Sequence, residues 1–121
     1  MPKEIVVICV FRTALGITSG YIDAYNNLGV VYAEQGDLDA AIESYKRILE
    51  IQPDFAEAHN NMGNALLGLS DIVSAICSFE KALELNPDYA EGYSNLGNAL
   101  ESKGRLLEAL NARNKAVDLA P

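Results

Sequence analysis

The sequence predicts an all-α fold, an α-solenoid of stacked antiparallel helix pairs. Three observations carry that prediction. A 34-residue step links Gly29, Gly63 and Gly97; Asn27, Asn61 and Asn95; Ala41, Ala75 and Ala109; and Pro53, Pro87 and Pro121. Within each step, residues recur at the i, i+3, i+4, i+7 spacing of one helix face, as in Tyr25, Leu28, Gly29 and Tyr32. Glycine or proline stands at most places where such a face ends. A period of this length marks a repeat array, because each unit is one supersecondary element that cannot bury its apolar face alone.

Taken in order, residues 1–21 read as a degenerate N-terminal capping segment, helical in character. Val7, Phe11, Ala14, Leu15 and Ile17 align with Ala41, Tyr45, Ile48, Leu49 and Ile51, the second helix of a unit. The run Ile5-Val6-Val7-Ile8 is β-branched and favours a strand instead, so helix and strand both stay open for residues 5–11. Three units follow, 22–55, 56–89 and 90–121. The first two share 12 of 34 aligned positions, and the last two 12 of 32.

Each unit reads as two helices of about 13 residues, too short to be stable unless they stack. The first helix carries the Tyr25 face and its counterpart Tyr93, Leu96, Gly97 and Leu100. Asp54-x-x-Glu57 and Asp88-x-x-Glu91 come close to capping boxes and predict N-cap acceptors at Asp54 and Asp88. Gly36 and Gly104 stand where a left-handed residue should end that helix. The second helix shows Leu38, Ala41, Ile42, Tyr45, Ile48 and Leu49, and Pro53 and Pro87 forbid its continuation.

Composition narrows the function. The 121 residues carry nine basic and seventeen acidic side chains, a net charge of −8, which disfavours nucleic acid and anionic lipid as partners. The longest purely apolar run, Ile5 to Phe11, is far short of the ~20 residues a membrane helix needs. Lys3 is neutralised by Glu4 and Arg12 closes that run, so it makes a poor signal peptide, and a cytoplasmic protein is expected.

The spacing resembles the tetratricopeptide repeat, aromatic-x-x-Leu-Gly-x-x-Tyr followed by Ala, aromatic, Ala and Pro. The first unit offers Tyr25, Leu28, Gly29, Tyr32, Gly36, Ala41, Tyr45 and Pro53. The second offers Met62, Gly63, Leu66, Ala75, Phe79, Ala82 and Pro87, and the third Tyr93, Leu96, Gly97, Leu100, Gly104, Ala109, Ala116 and Pro121. Departures are His59 in the aromatic slot, Ser70 for the turn glycine, and Arg113 for the second aromatic. The match covers residues 22–121.

The small residues of these rows read as packing positions. A second row is polar: Asn27, Asn61 and Asn95 lie about 200° around the helix axis from the glycines. Asp23, Glu57 and Glu91 flank it four residues earlier, and Val30, Asn64 and Asn98 three later; Asn26, Asn60 and Ser94 widen the strip. Asparagine is a poor helix former, so its recurrence calls for another benefit. An amide has the donor and acceptor that match one peptide unit, so such a row can hold an extended chain without reading its side chains. The flanking carboxylates would favour neutral to basic ligands. The alternative is that these amides bond to adjacent helices or simply face solvent.

The resemblance implies that inner-face residues of the first helices line a ligand groove. The asparagine row is similar to the superhelical arm of O-linked N-acetylglucosamine transferases, which grips extended polypeptide. The carboxylate clamp for chaperone tails uses Lys and Asn in the first unit, Asn in the second, and Lys and Arg in the third. At those positions this chain has Asn26, Val30, Asn61, Glu91 and Asn95, and Glu91 would repel the ligand carboxylate. Of the clamp positions only Asn61 fits, which disfavours such a tail.

Catalytic, metal and cofactor sites are not expected. Asp23, Glu57 and Glu91 would stand about 10 Å apart on successive helices, too far to share a cation. His59 reads as a packing residue, and Cys9 and Cys77, two repeats apart, cannot reach one another. The last unit leaves Leu110, Ala116, Val117 and Leu119 facing outward, which implies either a longer array or pairing of two copies through that helix. The sequence thus predicts a non-enzymatic scaffold binding an extended peptide through Asn27, Asn61, Asn95, Asn64 and Asn98, assisted by Asp23, Glu57 and Glu91. The alternatives are the substrate-recruiting arm of a larger enzyme, such as a glycosyltransferase, or a self-assembling module.

Overall fold

A computed structural model describes residues 15–120, with side-chain environments from Gly20 onward. The expectations for residues 5–11, Cys9 and Pro121 lie outside the described residues. Among the described residues six helices follow one another: α1 (Leu15–Glu34), α2 (Leu38–Ile51), α3 (Ala56–Gly68), α4 (Ile72–Leu85), α5 (Ala90–Ser102) and α6 (Leu106–Leu119). Among the described residues there is no strand, and the chain is an all-α solenoid of helix pairs.

The turns explain the pairing. Asp37 N–H reaches the Tyr32 carbonyl at 2.9 Å and Gly36 N–H the Ala33 carbonyl at 3.0 Å, the paired bonds that close a helix over a left-handed residue. Gly36 and Gly104 have φ of +82° and +84°. Ser70 occupies the same place with φ +65°, a conformation that costs a residue bearing a Cβ about 1 kcal/mol. The next helix starts at once, because the Asp37 and Asp71 side chains accept from Ala40 N–H at 3.2 Å and Ser74 N–H at 3.4 Å.

Two sequence expectations need correction. Asp54 and Asp88 do not cap α3 and α5. The N-cap residues are Phe55 and Tyr89, without side-chain cap bonds, because the helices begin at Ala56 and Ala90, one residue too late for the aspartates. Glu57 and Glu91 still lie in the first turn, where the helix dipole favours them. Nor does a turn separate residues 15–21 from the first unit; α1 runs through them. Ser19 stands where Pro53 and Pro87 stand further on, and without a proline ring nothing obliges the helix to stop.

The 34-residue step holds in three dimensions. A Cβ on Gly29 would lie 2.5 Å from the Tyr45 ring, one on Gly63 2.6 Å from the Phe79 ring, and one on Gly97 2.9 Å from Arg113 Cγ. Tyr45, Phe79 and Arg113 are themselves 34 apart, so the three glycines share one environment: each lets its helix close onto the large residue of its partner. The core runs along the stack as two clusters of buried residues bridged by Leu66. Ile42, Tyr45 and Ile48 pack with Ala58 and Ala65, and Ile76 and Phe79 with Ala99, Leu100 and Ala109.

Candidate functional site

The first helix of each pair carries a polar face, and successive polar faces meet across the stack. Asn61 Nδ2 donates to Asn26 Oδ1 at 3.0 Å, and one repeat on, Asn95 Nδ2 donates to Asn60 Oδ1 at 3.0 Å. Asn26 Nδ2 donates in turn to Glu57 Oε1 at 3.3 Å, and Asn60 Nδ2 to the Tyr89 hydroxyl at 3.3 Å. Asn60 is fully buried, so these bonds satisfy an amide that would otherwise be costly. Two of the three residues in the expected row thus bond to the neighbouring helix. Each keeps its second N–H, since an amide nitrogen has two.

Beside these bonds a cavity of about 350 Å³ opens between α1 and α3, over α2. Val30, Ala33 and Glu34 form one wall, Asn61, Asn64 and Ala65 the other, with Leu38 and Tyr45 contributed by α2. Burial first, then the repulsion of Glu57, pushes the Tyr45 hydroxyl above its ordinary pKa, so it stays protonated and able to donate. The cavity therefore combines aliphatic surface with amide, phenol and carboxylate groups, the chemistry that binds a polypeptide backbone and one or two side chains.

The expected site residues divide accordingly. The structure brings Asn61 and Asn64 into this cavity, and Glu57 beside it through Asn26. Asn27, Asp23 and Glu91 are exposed and outside its lining. Asn98 is also exposed, but its Oδ1 accepts from Arg113 Nη2 at 2.9 Å, while Arg113 also pairs with Glu101. Among the described residues, no group of three or more His, Cys, Asp or Glu is placed to hold a metal. His59 is half-buried, and its Nε2 donates to the Pro53 carbonyl at 3.0 Å, a bond that fixes the loop before α3.

Sequence reasoning placed Asn26 and Asn60 on the polar strip without assigning their bonds to Asn61 and Asn95, and it did not read Tyr45 as a cavity residue. The consecutive pairs Asn26-Asn27 and Asn60-Asn61 held the signal, because a donor one residue past an acceptor, repeated at 34, sets up a bond between residues 35 apart.

The "TPR repeat" family model matches residues 31–70 and 71–104, and a "Tetratricopeptide repeat" model matches residues 90–121. No curated protein matches the chain. Among solved structures, it is similar to a crystal structure of MamA, with 30% identity, a TM-score of 0.77, and coverage of 83% of this chain and 58% of that one. The chain thus spans less than two thirds of MamA. It is also similar to the first TPR of Spaghetti (RPAP3) bound to the HSP90 peptide SRMEEVD, with 26% identity, a TM-score of 0.82, and coverage of 85% and 82%. Among the described residues, no helix is long and apolar enough to cross a membrane.

Proposed function

The chain belongs to the tetratricopeptide repeat family, and from that premise we propose that it is a non-enzymatic scaffold holding an extended peptide or protein segment in its concave groove. The cavity walled by Val30, Glu34, Asn61 and Asn64 over Tyr45 carries this reading. The peptide-bound state of the Spaghetti TPR, a structural neighbour, supports a peptide as the kind of ligand. Asn61 and Asn64 supply backbone contacts there, and Asn27, Asn95 and Asn98 extend the row along the stack. The likeness of that row to the arm of O-linked N-acetylglucosamine transferases belongs to this proposal. The setting is read as cytoplasmic.

Charge selects the ligand. Residues 22–55 carry a net −5 and 56–89 a net −4, with Glu34 in the cavity and Glu57 beside it. An acidic peptide such as SRMEEVD would meet repulsion there, so the partner is neutral to basic. A groove this short binds weakly unless a buried anchor side chain is present.

The test is fluorescence anisotropy with a panel of labelled random peptides sorted by net charge. Neutral and basic members should bind, and Asn61→Ala combined with Asn64→Ala should weaken binding about tenfold while circular dichroism stays unchanged. Preference for acidic peptides, or affinity untouched by the double substitution, would overturn the proposal.

A further inference from the structure

The exposed faces of α1 and α6 carry, among the described residues, the two halves of an interface that the molecule already makes twice inside itself. At the internal junctions, α3 packs on α2 and α5 packs on α4. The receiving helix α4 offers Ile76 and Leu83, which are 5% and 8% exposed. Their counterparts on α6, Leu110 and Val117, are 54% and 64% exposed. Leu107 is not part of this contrast, since its counterpart Val73 is exposed as well. The incoming helices offer Ala58, Met62 and Ala65 on α3, and Gly92, Leu96 and Ala99 on α5, all buried or half-buried. The counterparts on α1, Ala24, Leu28 and Val31, are all exposed.

We propose that the α1 face of one copy docks on the α6 face of a second copy, repeating the α2–α3 and α4–α5 junctions between molecules. The occupant follows from this equivalence, because the shape that fits Leu110 and Val117 is the one that already covers Ile76 and Leu83. Charge agrees. The internal junction joins a unit of net −5 to one of net −4, whereas docking between copies joins a unit of net zero, bearing Lys103, Arg105, Arg113 and Lys115, to the unit of −5. Like-charge repulsion is therefore smaller between copies than at a junction the fold already tolerates. Two different faces meet, so the contact is heterologous and each added copy presents a fresh end.

Sedimentation equilibrium of the full chain from micromolar to millimolar concentration tests this. The mean mass should climb past the dimer without levelling off. Val117→Asp and Val31→Asp alter opposite ends at exposed positions, and each should weaken self-association about tenfold or more. Mixed together, the two variants should form a one-to-one heterodimer and stop, because each retains one competent end. A wild type that is monomeric throughout, as when the chain covers its own ends, overturns the proposal. So does a mass that levels off at the dimer, or Val31→Asp that associates like wild type, since both indicate α6 pairing with α6.

Discussion

Asn60→Ala should lower the stability of the stack by about 2–4 kcal/mol. Asn60 is fully buried on α3; its Oδ1 accepts from Asn95 at 3.0 Å and its Nδ2 reaches the Tyr89 hydroxyl at 3.3 Å. Truncation breaks both bonds, each worth about 1 kcal/mol net, and leaves two half-buried groups without those partners for about 0.5–1 kcal/mol apiece. The gain in helix propensity from Asn to Ala, about 0.5 kcal/mol, offsets only part of this. Urea unfolding followed by circular dichroism measures the change as a drop in midpoint at constant slope. A double-mutant cycle with Tyr89→Phe should return a coupling of about 1 kcal/mol for the Asn60–Tyr89 pair. Asn27→Ala, on an exposed site of α1, serves as the control and should lie within about 0.5 kcal/mol of wild type. If Asn60→Ala is no more destabilising than Asn27→Ala, the amides do not hold successive helices together.

Three further outcomes are expected. Gly63→Ala should cost about 1–2 kcal/mol, since its Cβ would meet three Phe79 ring carbons within 2.9 Å and that ring is fully buried; Gly20→Ala, with nothing within 4 Å, should instead stabilise by about 0.5–1 kcal/mol, and equal effects in thermal unfolding would refute the packing argument. Ser70→Gly should raise the unfolding free energy by about 0.5–1 kcal/mol by relieving the left-handed serine, and a loss of stability in urea unfolding would contradict that reading of the turn. Burial first, then Glu91 and Glu57, pushes the Tyr89 hydroxyl up to about 12 against a bond from Asn60 that lowers it. Because the folded value is the higher, this contribution is intact below about pH 10 and is lost as pH rises towards 12, where stability of the wild type should fall more steeply than that of Tyr89→Phe.

The fold was legible because periodicity is a statement about faces. Glycines 34 apart had to meet equivalent residues, and they meet Tyr45, Phe79 and Arg113. Helix starts were less legible. Asp54 has the right chemistry for a cap, but backbone geometry gives that place to Phe55. The continuation of α1 through residue 21 was hidden because its signal is a missing proline at position 19. At the candidate site, spacing assigned Asn27, Asn61 and Asn95 to one face but could not specify their bonding partners. Asn26 and Asn60 stand one residue aside and reach across to the next helix, a relation that depends on interhelical distance rather than on the pattern along one helix.

The most direct measurement is a backbone-amide NMR titration of the chain with a neutral-to-basic peptide found in the anisotropy panel, using Val117→Asp to suppress association. The account predicts shift changes concentrated at Val30, Glu34, Tyr45, Asn61 and Asn64, continuing towards Asn98. Changes confined to the separate α1–α2 hollow around Tyr25, Glu43 and Arg47, or to the exposed face of α6, would contradict it.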